Sequence, residues 1–183
     1  MLAHRTFAVG LGLALLGACG PIARPDGGEG LLPVGAIAPD VVGQRPDGST
    51  ARLSALRGHQ AVVYFYPADE TPGCTKEACA FRDAFKEYEA LNVTIFGVSR
   101  DSAESHHEFR TKHALPFPLV ADEDGALSRA YGVSSTFGLD SRVTFLVGAD
   151  GRVLHVWPDV DPGVHAKEVI AAARAGAART TTN

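Results

Sequence analysis

The chain has 183 residues, 45% hydrophobic and 21% charged, which fits one globular domain with a core of ordinary size. Its formal net charge of -4, with Lys and Arg scattered, lacks the basic footprint of a nucleic-acid binder. Small molecules or other proteins are therefore the expected partners.

The first residues set themselves apart from that domain. Arg5 leads into FAVGLGLALLGA, an apolar run too short for a stable membrane span and suited to the core of a signal peptide. Leu16-Gly17-Ala18-Cys19 follows and resembles a bacterial lipobox, so residues 1–18 read as a lipoprotein-type signal with Cys19 lipidated. An ordinary secretory signal with Cys19 incidental is the plainer reading. Residues 19–33 are rich in Gly and Pro and read as a flexible tether, leaving 34–175 as the domain and 176–183 as a tail. Export to an extracytoplasmic, membrane-anchored location follows as an expectation, with the lipid anchor as the one membrane contact.

Within the domain, GAIAPD at 35–40 and the turn Pro46-Asp47-Gly48 predict a short hairpin before Leu53. The run AVVYFYP at 61–67 predicts a strand buried on both faces, which Pro67 stops. Apolar residues Ala78, Phe81, Phe85, Tyr88 and Leu91 recur at helical spacing and predict one helix over 75–91. A strand at 93–98, a polar helix at 102–113, a strand at 117–120 and a small helix at 126–131 come next. VTFLV at 143–147, the turn at 148–151 and RVLHVW at 152–157 form a second hairpin, and a last helix covers 164–175. This order predicts an α/β thioredoxin-like sandwich: a mixed central β-sheet flanked by helices, with the N-terminal β-hairpin as an extension.

The segment PADETPGCTKEACAFRD at 67–83 carries the chemistry. Cys74 falls between the stopped strand and the first helical turn, where unsatisfied N–H groups and the helix dipole favour an anion such as a thiolate. Thr71 places a hydroxyl nearby, while Pro67 and Pro72 fix the loop. Cys79 lies five residues on, and in an ideal helix that spacing separates Cα atoms by about 8 to 9 Å. A disulfide bridges at most about 7 Å without backbone movement. If both cysteines are helical, joining them requires the first turns to unwind. If the helix starts after Cys79, an ordinary structural staple, the usual meaning of one cysteine pair in an exported protein, stays open.

Thr-Pro-Gly-Cys-Thr with Pro67, Thr71, Glu77, Cys79 and Phe81-Arg82-Asp83 resembles the peroxiredoxin family, in particular its bacterioferritin comigratory protein or Q-type subfamily. The preceding YFYP and the later Arg142-Val143-Thr144-Phe145-Leu146-Val147 match the same pattern, and the likeness runs over about 34–173. The export signal, tether and alanine-rich tail lie outside it. The resemblance implies a thiol-dependent peroxidase acting on hydrogen peroxide and small organic hydroperoxides. It assigns Cys74 as the peroxidatic cysteine that becomes a sulfenic acid and Cys79 as the resolving cysteine of an intramolecular disulfide. A thioredoxin-like dithiol would reset the enzyme. Thr71 and the backbone N–H groups of Gly73 and Cys74 would hold the peroxide, and Arg142 would favour the thiolate and donate to substrate. Glu77 is a candidate support, with an ordinary first-turn acid as its plain reading; Thr71 and Arg142 have plain readings as a cap and a surface ion-pair partner. No cofactor and no metal are implied, and a monomer or weak dimer is expected.

Two other readings compete. An exported thiol-disulfide oxidoreductase would share the fold but lacks C-x-x-C, and a copper lipoprotein would use both cysteines with a histidine such as His155. His106, His107 and His113 have poor ligand spacing and read as a solvated helix face.

Overall fold

The computed structural model describes residues 23–180, the side chains of 178–180 excepted. The signal-peptide reading, including Cys19, lies outside the described residues. The expected N-terminal hairpin forms from β1 (Val42–Gln44) and β2 (Thr50–Arg52), followed by a 3-10 turn at Leu53–Ala55. β3 (Gln60–Phe65) is buried at every position. Tyr66 extends its ladder by donating to Val98 O at 3.0 Å, and Pro67, lacking an N–H, ends it. Then come α1 (Pro72–Asp83), α2 (Phe85–Ala90), β4 (Val93–Ser99), α3 (Ala103–His113), β5 (Leu119–Ala121) and α4 (Ala126–Tyr131). A small separate ribbon, β6 (Ser135–Thr136) with β7 (Leu139–Asp140), leads into β8 (Val143–Val147), β9 (Val153–Trp157) and α5 (His165–Thr180).

The seven-stranded sheet runs β2-β1-β5-β4-β3-β8-β9. β3, β4 and β5 are parallel neighbours, whereas β8, β9 and the N-terminal hairpin pair antiparallel, so the sheet is mixed. Period-two alternation on β3 divides the core. Val62, Tyr64 and Tyr66 face a cluster with Phe81 of α1, Tyr88 of α2, Phe109 of α3 and Val169 of α5. Ala61, Val63 and Phe65 face a second cluster with Phe145, Tyr131 of α4 and Leu32 from the N-terminal segment. Helices thus cover both faces, as in a thioredoxin-like sandwich. Gly97 of β4 is paired with Tyr64 of β3, and a Cβ there would lie 2.6 Å from the Tyr64 hydroxyl, so glycine makes room for that phenol.

Several boundaries differ from expectation. The helix expected over 75–91 begins at Pro72 and divides at Ala84, where φ is -91° and ψ 2°. Phe81 and Tyr88 on either side still share one cluster, so the apolar stripe passes through the break and periodicity does not register it. The strand expected at 117–120 is β5, shifted to begin at Leu119, because Pro116 and Pro118 cannot supply ladder N–H groups. The last helix runs past Ala175 to Thr180, so the expected tail is helical over most of its length.

The expected flexible tether over 19–33 is folded where it is described. Leu32 is buried and donates its N–H to Tyr131 O at 2.9 Å. Arg24 bonds the carbonyls of Glu29, Gly30 and Leu31, at 3.0, 2.9 and 3.2 Å. A Gly- and Pro-rich composition looks solvent-loving because it lacks large apolar residues. Here one guanidinium satisfies the backbone carbonyls and one leucine anchors the segment.

Candidate active site

Thr71 is the N-cap residue of α1, Pro72 its first residue and Cys74 its third. Proline suits that position because its missing N–H would be unpaired in any case. The Thr71 side chain makes no capping bond; its hydroxyl donates instead to Ala68 O at 3.0 Å. The plain reading of Thr71 as only a side-chain cap therefore fails. Its oxygen lone pairs stay open to accept a hydrogen bond, and the Gly73 and Cys74 N–H groups receive no side-chain cap.

Cys74 is 2% exposed and lies with Ala78 and Phe81 on the buried stripe of α1. Cys79 is half-buried, and both thiols are free. Both cysteines lie within α1, which removes the structural-staple reading for this conformation: helical geometry holds their Cα atoms about 8 to 9 Å apart.

Arg142 sits directly before β8, which lies between β3 and the edge strand β9, and its guanidinium reaches the N-terminus of α1. Its Nη2 donates to Cys74 Sγ at 3.3 Å and its Nη1 to Glu77 Oε2. Arg142 is thus a partly buried bridge between a thiol and a carboxylate, in place of the surface ion pair of its plain reading. Glu77 is 1% exposed, so it is no ordinary first-turn acid either. Burial pushes its carboxyl up to about 7, and Arg142 offsets only part of that. Glu77 Oε1 and the Tyr64 hydroxyl are buried without a hydrogen-bond partner among the described residues. Burial, then the nearby Glu77, Asp69 and Cys74, holds the Tyr64 phenol well above its ordinary value.

A second buried polar group, missed at the level of sequence, supports the same loop. Asp69 accepts from Tyr66 Oη at 2.8 Å and Ser105 Oγ at 2.7 Å, and its Oδ2 is 2.8 Å from His106 Nδ1. The solvated-face reading of the α3 histidines is corrected for His106, which is 4% exposed, while His107 is exposed. His106, Phe109 and His113 fall at i, i+3 and i+7, the stripe turned to the core, and that spacing was the available signal. Among the described residues no group of three or more His, Cys, Asp or Glu is placed to hold a metal. His155 packs on the Trp157 ring at 4.2 Å in β9, at the sheet edge, and the copper reading has no ligand set there.

The arrangement is a thiol at an uncapped helix N-terminus, touched by a guanidinium, beside a hydroxyl that accepts. Such a site offers hydrogen-bond donors and an acceptor to a small polar molecule beside the thiol. Residues 34–156 match the AhpC/TSA family. The chain is 40% identical over 146 residues to peroxiredoxin Bcp of Bacillus subtilis strain 168, covering 76% of this chain and 93% of that one. It is 42% identical over 130 residues to chloroplastic peroxiredoxin Q of Oryza sativa subsp. japonica, covering 70% of this chain and 60% of that longer one. Among solved structures it is similar to Xanthomonas campestris peroxiredoxin Q, with TM-score 0.68, 40% identity and coverage of 75% and 91%.

Proposed function

The chain belongs to the AhpC/TSA family and is a thiol-dependent peroxidase of the peroxiredoxin kind, and on that premise we propose that Cys74 and Cys79 carry its cycle. The Cys74 thiolate attacks one oxygen of the peroxide, the S–O bond forms as the O–O bond breaks, and the departing oxygen takes a proton and leaves as water or an alcohol. The Gly73 and Cys74 N–H groups and Arg142 donate to the oxygens as charge moves across them, while Thr71 Oγ1 accepts from the peroxide O–H. With Cys74 only 2% exposed, hydrogen peroxide and small organic hydroperoxides suit the approach. The observation that carries this reading is the 3.3 Å contact from Arg142 to Cys74 Sγ at an uncapped helix N-terminus.

Resolution then consumes the sulfenic acid. Cys79 attacks the Cys74 sulfur, hydroxide leaves and is protonated to water, and an intramolecular disulfide results. α1 must open over 74–79 first. A thioredoxin-like dithiol returns both cysteines to thiols by exchange. Rapid mixing of purified protein with peroxide tests the assignment. Cys74→Ser should consume no peroxide by the fast route, and Cys79→Ser should react once and accumulate sulfenic acid; a Cys74→Ser protein as fast as wild type contradicts it.

The N-terminal residues support an exported, lipid-anchored form, since the apolar run ends at Cys19. Residues 23–33 fold onto the domain, so such an anchor would hold the peroxidase close to the bilayer. Intact mass of the protein from its native membrane tests this: an acylated Cys19 supports it, and an unmodified cleavage elsewhere contradicts it.

A further inference from the structure

α3 holds α1 at both ends. Before α1, Asp69 is 8% exposed and receives Ser105 Oγ and Tyr66 Oη, with His106 Nδ1 at 2.8 Å. Its own N–H donates to Asp101 Oδ2 at 2.9 Å. The next residue, Glu70, stands at a positive φ of 59° and pairs with Lys112 Nζ at 2.6 Å and His113 Nε2 at 3.4 Å, both in the last turn of α3. Near the end of α1, Arg82 Nη1 donates to His113 O at 2.8 Å. His106 is fixed in turn, its Nε2 lying 3.1 Å from Val120 O of β5. A non-glycine residue at positive φ costs energy that its surroundings must supply, and here the Glu70 ion pairs flank it.

We propose that the Asp69–His106 contact, backed by Ser105 and Tyr66, is a positioning clasp that sets how often the Cys74 turn opens to meet Cys79. Only Glu70, Thr71, Pro72 and Gly73 separate the clasped residue from Cys74. While Asp69 is held, four residues of chain tether Cys74 and the first turn stays wound. When the clasp releases, the turn can unwind and carry Cys74 toward Cys79. His106 and Asp69 touch neither cysteine; they act through the loop. The clasp rests on the cysteine roles given above.

The two chemical steps depend differently on this opening. Peroxide reacts with the closed form, which stays dominant if a weakened clasp raises a minor open population tenfold from a low level. Disulfide formation draws on the open form and follows its population. Rapid-mixing fluorescence, with mass analysis of quenched samples, separates the two rates in full-length wild type, His106→Asn and Ser105→Ala. His106→Asn should accelerate the disulfide step by about tenfold while slowing the peroxide step less than about twofold. Ser105→Ala, which removes one donor to Asp69 at a half-buried position, should move the same way by a smaller factor. A loss of general stability alone would not separate the rates. An unchanged ratio of the two rates in both variants overturns the clasp while leaving the cysteine roles intact. A wild-type protein that forms no Cys74–Cys79 disulfide overturns those roles and the clasp with them.

Discussion

Two buried carboxylates flank Cys74, and their surroundings drive them in opposite directions. Asp69 lies on the loop before α1 and Glu77 one turn inside it; each is buried and each has a cationic or imidazole partner. For Asp69, burial would raise the carboxyl, but the bonds from His106, Ser105 and Tyr66 outweigh it and hold the group below the usual range. For Glu77, burial prevails against Arg142 alone, and the carboxyl rises to about 7. Glu77 is the more deeply buried of the two and has Arg142 as its partner, whereas Asp69 is less buried and has three donors, and the two differences act in the same direction. Asp69 is a fully supplied anchor that keeps the loop in place. Glu77 is under-supplied, shares its cation with Cys74, and is the group whose charge can change near neutral pH.

The largest disturbance of that contrast comes from removing the shared cation. Arg142→Met strips Cys74 of its donor and leaves Glu77 buried alone, so the peroxide step should slow by about 10²–10³. Stopped-flow rates measure it, and a variant within a few-fold of wild type would show that Arg142 is structural only. Asp69→Asn comes next, because it leaves three donors facing a neutral amide. It should cost about 3 kcal/mol in urea unfolding at neutral pH. A depressed carboxyl stabilises the fold above its ordinary 3.8 and loses that contribution as pH falls through the folded value. The gap between Asp69→Asn and wild type should therefore close in acid, and a gap independent of pH would remove the charge from the account.

Glu77→Gln gives the smallest effect and the opposite sign. A carboxyl raised from 4.5 to about 7 contributes its full stability below about pH 4.5 and loses it as pH rises through 7. Wild type should lose stability relative to Glu77→Gln across that window, by about 1–3 kcal/mol. Unfolding curves at both ends of the window check this, and parallel curves would place Glu77 in a wetter site than its burial indicates.

Legibility in the sequence follows the same division between one-dimensional and three-dimensional signals. AVVYFYP announced the central strand because a strand covered on both faces has no polar alternation. Pro67, Thr71, Pro72 and Cys74 announced the strand-to-helix turn because proline chemistry is local. The cysteine spacing already carried the geometric conflict, which α1 from Pro72 to Asp83 makes definite for the reduced form. The Arg142 position came from a family likeness; its bridge to Glu77 and Cys74 spans 65 and 68 residues and has no local signal. The Asp69 anchor was hidden for the same reason, joining a loop to a helix 36 and 37 residues away. Composition misjudged residues 23–33 because it counts residue types and cannot see that Arg24 satisfies three carbonyls. The β6–β7 ribbon, with Phe137 fully exposed at its turn, is too short for any periodicity to register.

The central claim is that α1 is wound between the cysteines when reduced and must unwind for them to join. Hydrogen exchange of the amides at 75–79, before and after one equivalent of peroxide, tests it most directly. Those amides should be protected in the reduced protein and lose protection as the Cys74–Cys79 disulfide accumulates. A disulfide that forms while their protection is unchanged, or amides already unprotected in the reduced protein, would contradict the account.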